Sequence, residues 1–200
     1  MPEQLALPGL LPKPTDRLFF AVLPDAPATA QATTITDTLF GAHGLSGRRL
    51  SARNLHVSLH HVGDFAGLPG DVVARALAAG DSLRHAPVAI RFDKAGSFVR
   101  RHRTLPLVLR GGQVIPLIAF QHALGEAMAR QGFRHISSAH YTPHMTLLYD
   151  PRYVEARTVT PVEWMAREFV LIRSLIGKAR HEVLGRWSLT PSVIPDSAER

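Results

Sequence analysis

Two short stretches of this 200-residue sequence pair a histidine with a hydroxyl two positions later. They are His56-Val57-Ser58-Leu59 and His144-Met145-Thr146-Leu147, separated by 88 positions, the difference between 144 and 56. Both lie in runs rich in β-branched and aliphatic residues, as strands do. Side chains alternate faces along a strand, so His56 and Ser58 share one face, as do His144 and Thr146. Val57, Leu59, Met145 and Leu147 then point into a core. An imidazole with a pKa near 6.5 can take or give a proton at neutral pH, and a hydroxyl can donate to an oxygen that gains charge. Two such strands face to face would supply a base, an acid and two donors. The sequence holds 11 histidines, so one tripeptide alone fits an exposed strand face better than a site. The repeated local pattern, closed each time by leucine, carries the argument.

Other elements must position these strands. Arg17 to Leu23 reads as a short apolar strand, broken by Pro24, with Asp25 capping a helix that runs to about Phe40. Gly41, Gly44 and Gly47 mark a loop. Beyond it Arg48, Arg49 and Arg53 form either a solvated basic rim or a phosphate-steering one. Leu55 to Val62 is the first motif strand; if it is regular, His60 lines the same cleft as His56 and Ser58. Asp71 to Leu83 has helical spacing and Val88 to Phe92 reads as a strand. Ser97 to Arg103, SFVRRHR, is a basic hairpin or loop, in which Phe98 either stacks on a base or completes the core at a strand end. Leu105 to Arg110 is a strand, and Ile115 to Gln131 is the strongest helix, ended by Gly132. Strands are expected over 162–165, 169–176 and 181–189, with a turn at Gly177-Lys178. The order suggests a degenerate duplication with one motif on each half.

Composition sets the frame. The length suits one domain or one compact bilobal unit: a Pro-rich flexible lead-in over 1–15, one domain over 16–190 and a tail over 191–200. An apolar content of 46% is ordinary for a globular protein, and no run is long and apolar enough for a transmembrane helix. The N-terminus has Glu3 early and no basic n-region, unlike a signal peptide. The absence of cysteine excludes disulfides and thiolate metal sites and fits a cytoplasmic protein. The formal charge of +7 and pI near 10.7 favour polyanions, nucleic acid above all.

The two motifs resemble the signatures of the 2H phosphoesterase superfamily, in particular its RNA 2′,3′-cyclic phosphodiesterases, also called 2′-5′ RNA ligases. The resemblance spans roughly residues 16 to 190. Arg17-Leu18-Phe19-Phe20-Ala21 with Pro24 looks like the family's opening strand. Asn54-Leu55-His56-Val57-Ser58-Leu59 with Val62-Gly63 matches its first motif, and Thr142-Pro143-His144-Met145-Thr146-Leu147 the second. Glu182-Val183-Leu184 with Trp187-Ser188-Leu189 resembles its closing strand. Ser58 stands where the family commonly has threonine, which keeps the hydroxyl. The family often has an arginine shortly before the second motif; this chain reads Ser137-Ser138-Ala139-His140-Tyr141, leaving Arg134 or His140 as the substitute cation.

The resemblance implies an α+β fold of two similar antiparallel lobes, with helices outside and a central cleft. It implies hydrolysis of 2′,3′-cyclic phosphate ends of RNA to 2′-phosphates, with His144 as base toward water and His56 as acid toward the 3′-oxygen. Ser58 and Thr146 would hold the phosphate, with Phe98 and Tyr141 as further substrate contacts. No cofactor and no metal are expected. A ligase activity that joins a cyclic end to a 5′-hydroxyl without ATP, giving a 2′-5′ linkage, is also implied. Expected partners are RNAs with cyclic phosphate ends, tRNA fragments included, or small cyclic nucleotides, bound by a monomer with no membrane association. Three rivals stand beside this reading. A metal site needs three or more ligands, and neither motif has them alongside. A non-catalytic RNA-binding module would explain the charge but would not need both histidine–hydroxyl pairs. A related enzyme acting on another cyclic nucleotide or an ADP-ribose cyclic phosphate fits the same motifs.

Overall fold

The computed structural model describes residues 12–98, 103–112, 114–134 and 141–190. The first strand, β1 (Asp16–Val22), is apolar along most of its length. Helix α1 (Ala26–Ala42) begins where Asp25 accepts the amide of Ala28 at 2.9 Å, with proline in its first turn. The two-residue strand β2 (Arg48–Arg49) and a 3₁₀ turn (Ala52–Asn54) lead into β3 (Val57–Phe65). Then come α2 (Gly70–Ser82), β4 (Val88–Ser97), β5 (Leu105–Arg110) and α3 (Ile115–Arg130). Strands β6 (His144–Asp150), β7 (Arg157–Ala166), β8 (Glu168–Leu175) and β9 (Arg180–Ser188) complete the order. None of the described helices is long and apolar enough to cross a membrane.

All pairings in the sheet are antiparallel, in the order β7-β4-β5-β6-β3-β1-β8-β9, with β2 paired to β6. One half is β3-β1-β8-β9 and the other β6-β5-β4-β7; they meet at one rung, Val57 opposite Met145. That rung has the same offset of 88 as the two motifs, so the pseudo-twofold relation in sequence passes through it. Shifting the β1-α1-β3 segment by 88 positions places the start of each element within one residue of its counterpart in β5-α3-β6. The α+β architecture of two similar antiparallel halves with helices on one side is therefore present.

Each half borrows a helix from the other. Helix α1, from the β1-α1-β3 unit, hydrogen-bonds across to β7 through Gln31 Nε2 and the Pro161 carbonyl at 2.8 Å. Helix α3, from β5-α3-β6, sets Phe120 against Phe169 of β8 at 5.3 Å between ring centroids. The main core lies between sheet and helices and holds Leu18, Phe20, Val57, Leu109, Phe120, Met145 and Phe169, all essentially buried. A smaller cluster of Phe19, Ala21, Val170 and Ile172 lines the opposite face of β1 and β8.

Several sequence expectations shift. Strand β4 runs on to Ser97, and β7 begins at Arg157 despite Pro161. Strand β7 is the sheet edge, where a missing donor is tolerated, and its register to β4 breaks between Phe92 and Lys94. His60 does not line the cleft. A register shift between Phe20 and Ala21 leaves Leu59 unmatched on β3 and turns His60 to the helix side. There it is buried, with Nε2 at 2.7 Å from the Gln121 carbonyl. The lead-in up to residue 11, the tail over 191–200, the basic stretch 99–102 and His140 lie outside the described residues.

Candidate active site

The joining rung builds the site. Met145 and Val57 point into the core, so their flanking residues, His144 and Thr146, His56 and Ser58, all face the other side. An antiparallel crossing at Val57 and Met145 brings His56 toward Thr146 and Ser58 toward His144. Directly opposed side chains start about 4.5–5.5 Å apart and diagonal ones about 7–8 Å. The two histidines are diagonal neighbours. All four side chains are partly exposed.

The rings are anchored alike. Nδ1 of His56 lies 2.8 Å from the Asn54 carbonyl, and Nδ1 of His144 lies 2.8 Å from the Thr142 carbonyl. A carbonyl only accepts, so Nδ1 carries the hydrogen and Nε2 is the nitrogen that gains and loses the titrating proton. Asn54 is itself buried and donates from Nδ2 to the Ala179 carbonyl at 2.9 Å, tying the first motif to the β8–β9 turn.

The surroundings of the two rings differ. His56 packs on Phe19 at 5.0 Å and on His181 of β9 at 5.3 Å. Burial pushes its pKa down to about 4, against the pull of the Asn54 carbonyl, and the neighbouring His181 and His144 push the same way. Burial also lowers His181. His144 instead meets the edge of Phe98 at 4.9 Å, and Phe98 carries the Arg110 guanidinium over its face at 5.2 Å. Arg110 is the cross-strand partner of His144, and Lys94 is in turn the partner of Arg110. The corresponding place beside His56, one step past Val22 on β1, is taken by Leu23. One histidine thus sits in an aromatic, desolvated corner and the other beside a cation.

The structure brings Phe98 to the site as a partly exposed ring against His144, not as a core residue. Tyr141 also reaches it, but its hydroxyl donates to the Ser58 main-chain carbonyl at 3.0 Å, and burial raises its pKa. Tyr141 therefore bridges the second motif to the first. Arg134 is exposed, and the preceding Phe133 carries Arg75 over its ring at 5.0 Å. Of the basic loop, Arg49 is ion-paired to Asp37 and Arg48 lies over Tyr149 at 5.4 Å. Sequence reasoning missed His181 and Arg110, whose strands are remote in the chain from the motifs they touch. Among the described residues no group of three or more potential metal ligands is assembled.

Comparison with known proteins gives the family and the fold. The family model described as the 2′-5′ RNA ligase superfamily matches residues 23–176. Escherichia coli LigT in its apo form is 30% identical, with a TM-score of 0.65, over 90% of this chain and 99% of that one. LigT complexed with 3′-AMP is likewise 30% identical, at a TM-score of 0.63 over the same shares. TT0787 of Thermus thermophilus, 20% identical over 86% of this chain and 97% of that one, shares the fold at a TM-score of 0.69. No curated protein sequence matches. With both motifs on the rung that joins its two halves, the chain belongs to the 2′-5′ RNA ligase superfamily of 2H phosphoesterases.

Proposed function

We propose that this protein hydrolyses 2′,3′-cyclic phosphate ends of RNA to 2′-phosphates, without a metal, by two-histidine acid–base catalysis. The observation that supports the reading is the Val57–Met145 rung, which sets two imidazoles and two hydroxyls on one face of the sheet. In the reaction a water oxygen bonds to phosphorus as the bond from phosphorus to the 3′-oxygen breaks. His144 Nε2 takes the proton from water and His56 Nε2 gives one to the departing 3′-oxygen. Ser58 and Thr146 donate to the non-bridging oxygens, where charge builds up. LigT has been obtained with phosphate and with 3′-AMP, which suits a site made for a nucleotide phosphate.

The low pKa of His56 bears on its role as acid. In the unoccupied site the ring is neutral at pH 7, because burial disfavours its charge. A phosphodiester brings a negative charge into contact and restores the protonated form, so the acid is armed by its substrate. With a 5′-hydroxyl in place of water as the attacking oxygen, the same steps join a cyclic end to a second strand through a 2′-5′ linkage. The test is an oligonucleotide with a 2′,3′-cyclic phosphate end, incubated in EDTA, with the position of the product phosphate identified. A 2′-phosphate is expected, with loss of turnover in His56→Ala and in His144→Ala. Abolition by EDTA with rescue by one divalent ion, or full turnover in either variant, overturns the mechanism.

A further inference from the structure

A pocket of about 400 Å³ opens beside the second motif, lined by Lys94, Arg110, Arg157, Thr142 and Thr158 among others, with no acidic side chain among the described residues of its wall. Thr142 is the residue whose carbonyl holds His144, and Arg110 is the cross-strand partner of His144. Strands pack about 4.8 Å apart. Arg110 therefore lies one strand spacing from the catalytic strand, and Lys94, on the next strand, lies about 10 Å from it. The pocket borders Thr142 and Pro143, just before the histidine, and reaches Lys94 and Arg157 on β4 and β7.

Its cations stand apart from most others on the sheet. Arg17 pairs with Asp64, Arg173 with Asp16, Arg180 with Glu182, and Arg186 and Arg91 with Glu168 and Glu163. Among the described residues no carboxylate pairs with Lys94, Arg110 or Arg157. Arg110 goes further: its Nε is buried and has no hydrogen-bond partner among the described residues. A buried guanidinium donor without an acceptor is destabilising unless a ligand supplies one. Planar guanidinium and an ammonium with threonine hydroxyls suit a phosphate diester. A mononucleotide that seats its only phosphate between the histidines leaves these groups unused.

Resting on the proposed reaction, we infer that this pocket binds the internucleotide phosphate next to the reacting end, so that the preferred substrate is an oligonucleotide and not a cyclic mononucleotide. Arg110 meets that phosphate nearest the histidines, Lys94 and Arg157 hold its outer side, and Phe98 is fixed between the two phosphate positions.

The experiment compares kcat/KM for a nucleoside 2′,3′-cyclic phosphate with that for a trinucleotide bearing the same cyclic end. A third substrate is the trinucleotide with its last linkage replaced by a neutral methylphosphonate. The native protein is expected to favour the all-phosphate trinucleotide by 10-fold or more, and to lose that advantage with the methylphosphonate. The double variant Lys94→Ala/Arg157→Ala should turn over the mononucleotide at the native rate and keep only the part of the methylphosphonate effect that Arg110 carries. Both substituted side chains are exposed, so the fold is spared. Equal kcat/KM for mononucleotide and trinucleotide in the native protein, or a methylphosphonate effect undiminished in the double variant, overturns the subsite. Failure to hydrolyse any of the three substrates would instead strike at the proposed reaction itself.

Discussion

The most demanding prediction concerns the charge on His56. Burial beside Phe19 and His181 brings its pKa from 6.5 down to about 4, which corresponds to roughly 3 kcal/mol against the protonated ring. An anion in contact works the other way. At about 4 Å and an effective dielectric of about 20, a unit charge contributes on the order of 4 kcal/mol. That is enough to return the ring to the neutral range. Histidine ring NMR, followed from pH 3 to 8 with and without saturating inorganic phosphate, reads this directly; His56→Asn assigns the signal. Without phosphate His56 should titrate near 4, and with phosphate well above it. A stability corollary follows from the same numbers. Between pH 6.5 and 4 the unfolded chain takes up a proton at position 56 that the folded chain refuses, so stability falls as pH is lowered through that window. The fall from this residue alone is about 3 kcal/mol, and His56→Gln should remove it from denaturant-unfolding curves. If phosphate binds, as reported by other signals, while His56 still titrates near 4, the assignment of His56 as acid is wrong.

Three further outcomes are expected. Ser58→Ala and Thr146→Ala should each lower kcat about 100-fold while far-UV CD and melting stay native, the size of losing one oxyanion donor; native rates in the double variant would remove both from the site. Tyr141→Phe should lower stability by about 1 kcal/mol, a Tm drop of about 2–4 °C, because it deletes one partly buried hydrogen bond to the Ser58 carbonyl; an unchanged Tm would mean that the bond carries no weight. Gly47→Ala should destabilise by about 1–3 kcal/mol, since a Cβ there would sit 2.0 Å from the Tyr149 carbonyl, whereas Gly41→Ala meets nothing and should be neutral or stabilising in a thermal melt.

The sequence made the site's centre legible because strand periodicity is strict. One core residue between two polar ones is enough to put His56 with Ser58 and His144 with Thr146, and the rung between Val57 and Met145 keeps that arrangement. The helices were readable from their caps, Asp25 at one start and Gly132, with φ 82°, just past one end. His60 was misplaced because a one-residue bulge reverses every later side chain, and bulges leave no mark in a hydrophobic pattern. His181 and Arg110 were silent for another reason. Each is one ionisable residue in an otherwise ordinary strand, and only the order of strands in the sheet says which motif it stands beside. Phe98 lay at the edge of legibility: an aromatic at a strand end fits core and cleft equally until its neighbours are known.

The strand order also governs when the protein can become whole. Strand β1 is synthesised early, yet one of its two ladders is formed with β8, more than 140 positions later, as in Phe20 against Leu171. Until those last strands leave the ribosome, the hydrophobic strand β1 has an open edge, of the kind that recruits unwanted partners. The half carrying His144 suffers no such delay, since β4 to β7 follow one another along the chain. Pairings of such long sequence separation slow folding, and a segment that waits unpaired is exposed to aggregation. The half that holds the first histidine should therefore be the last to assemble, with catalytic competence arriving as a late event in the birth of the molecule.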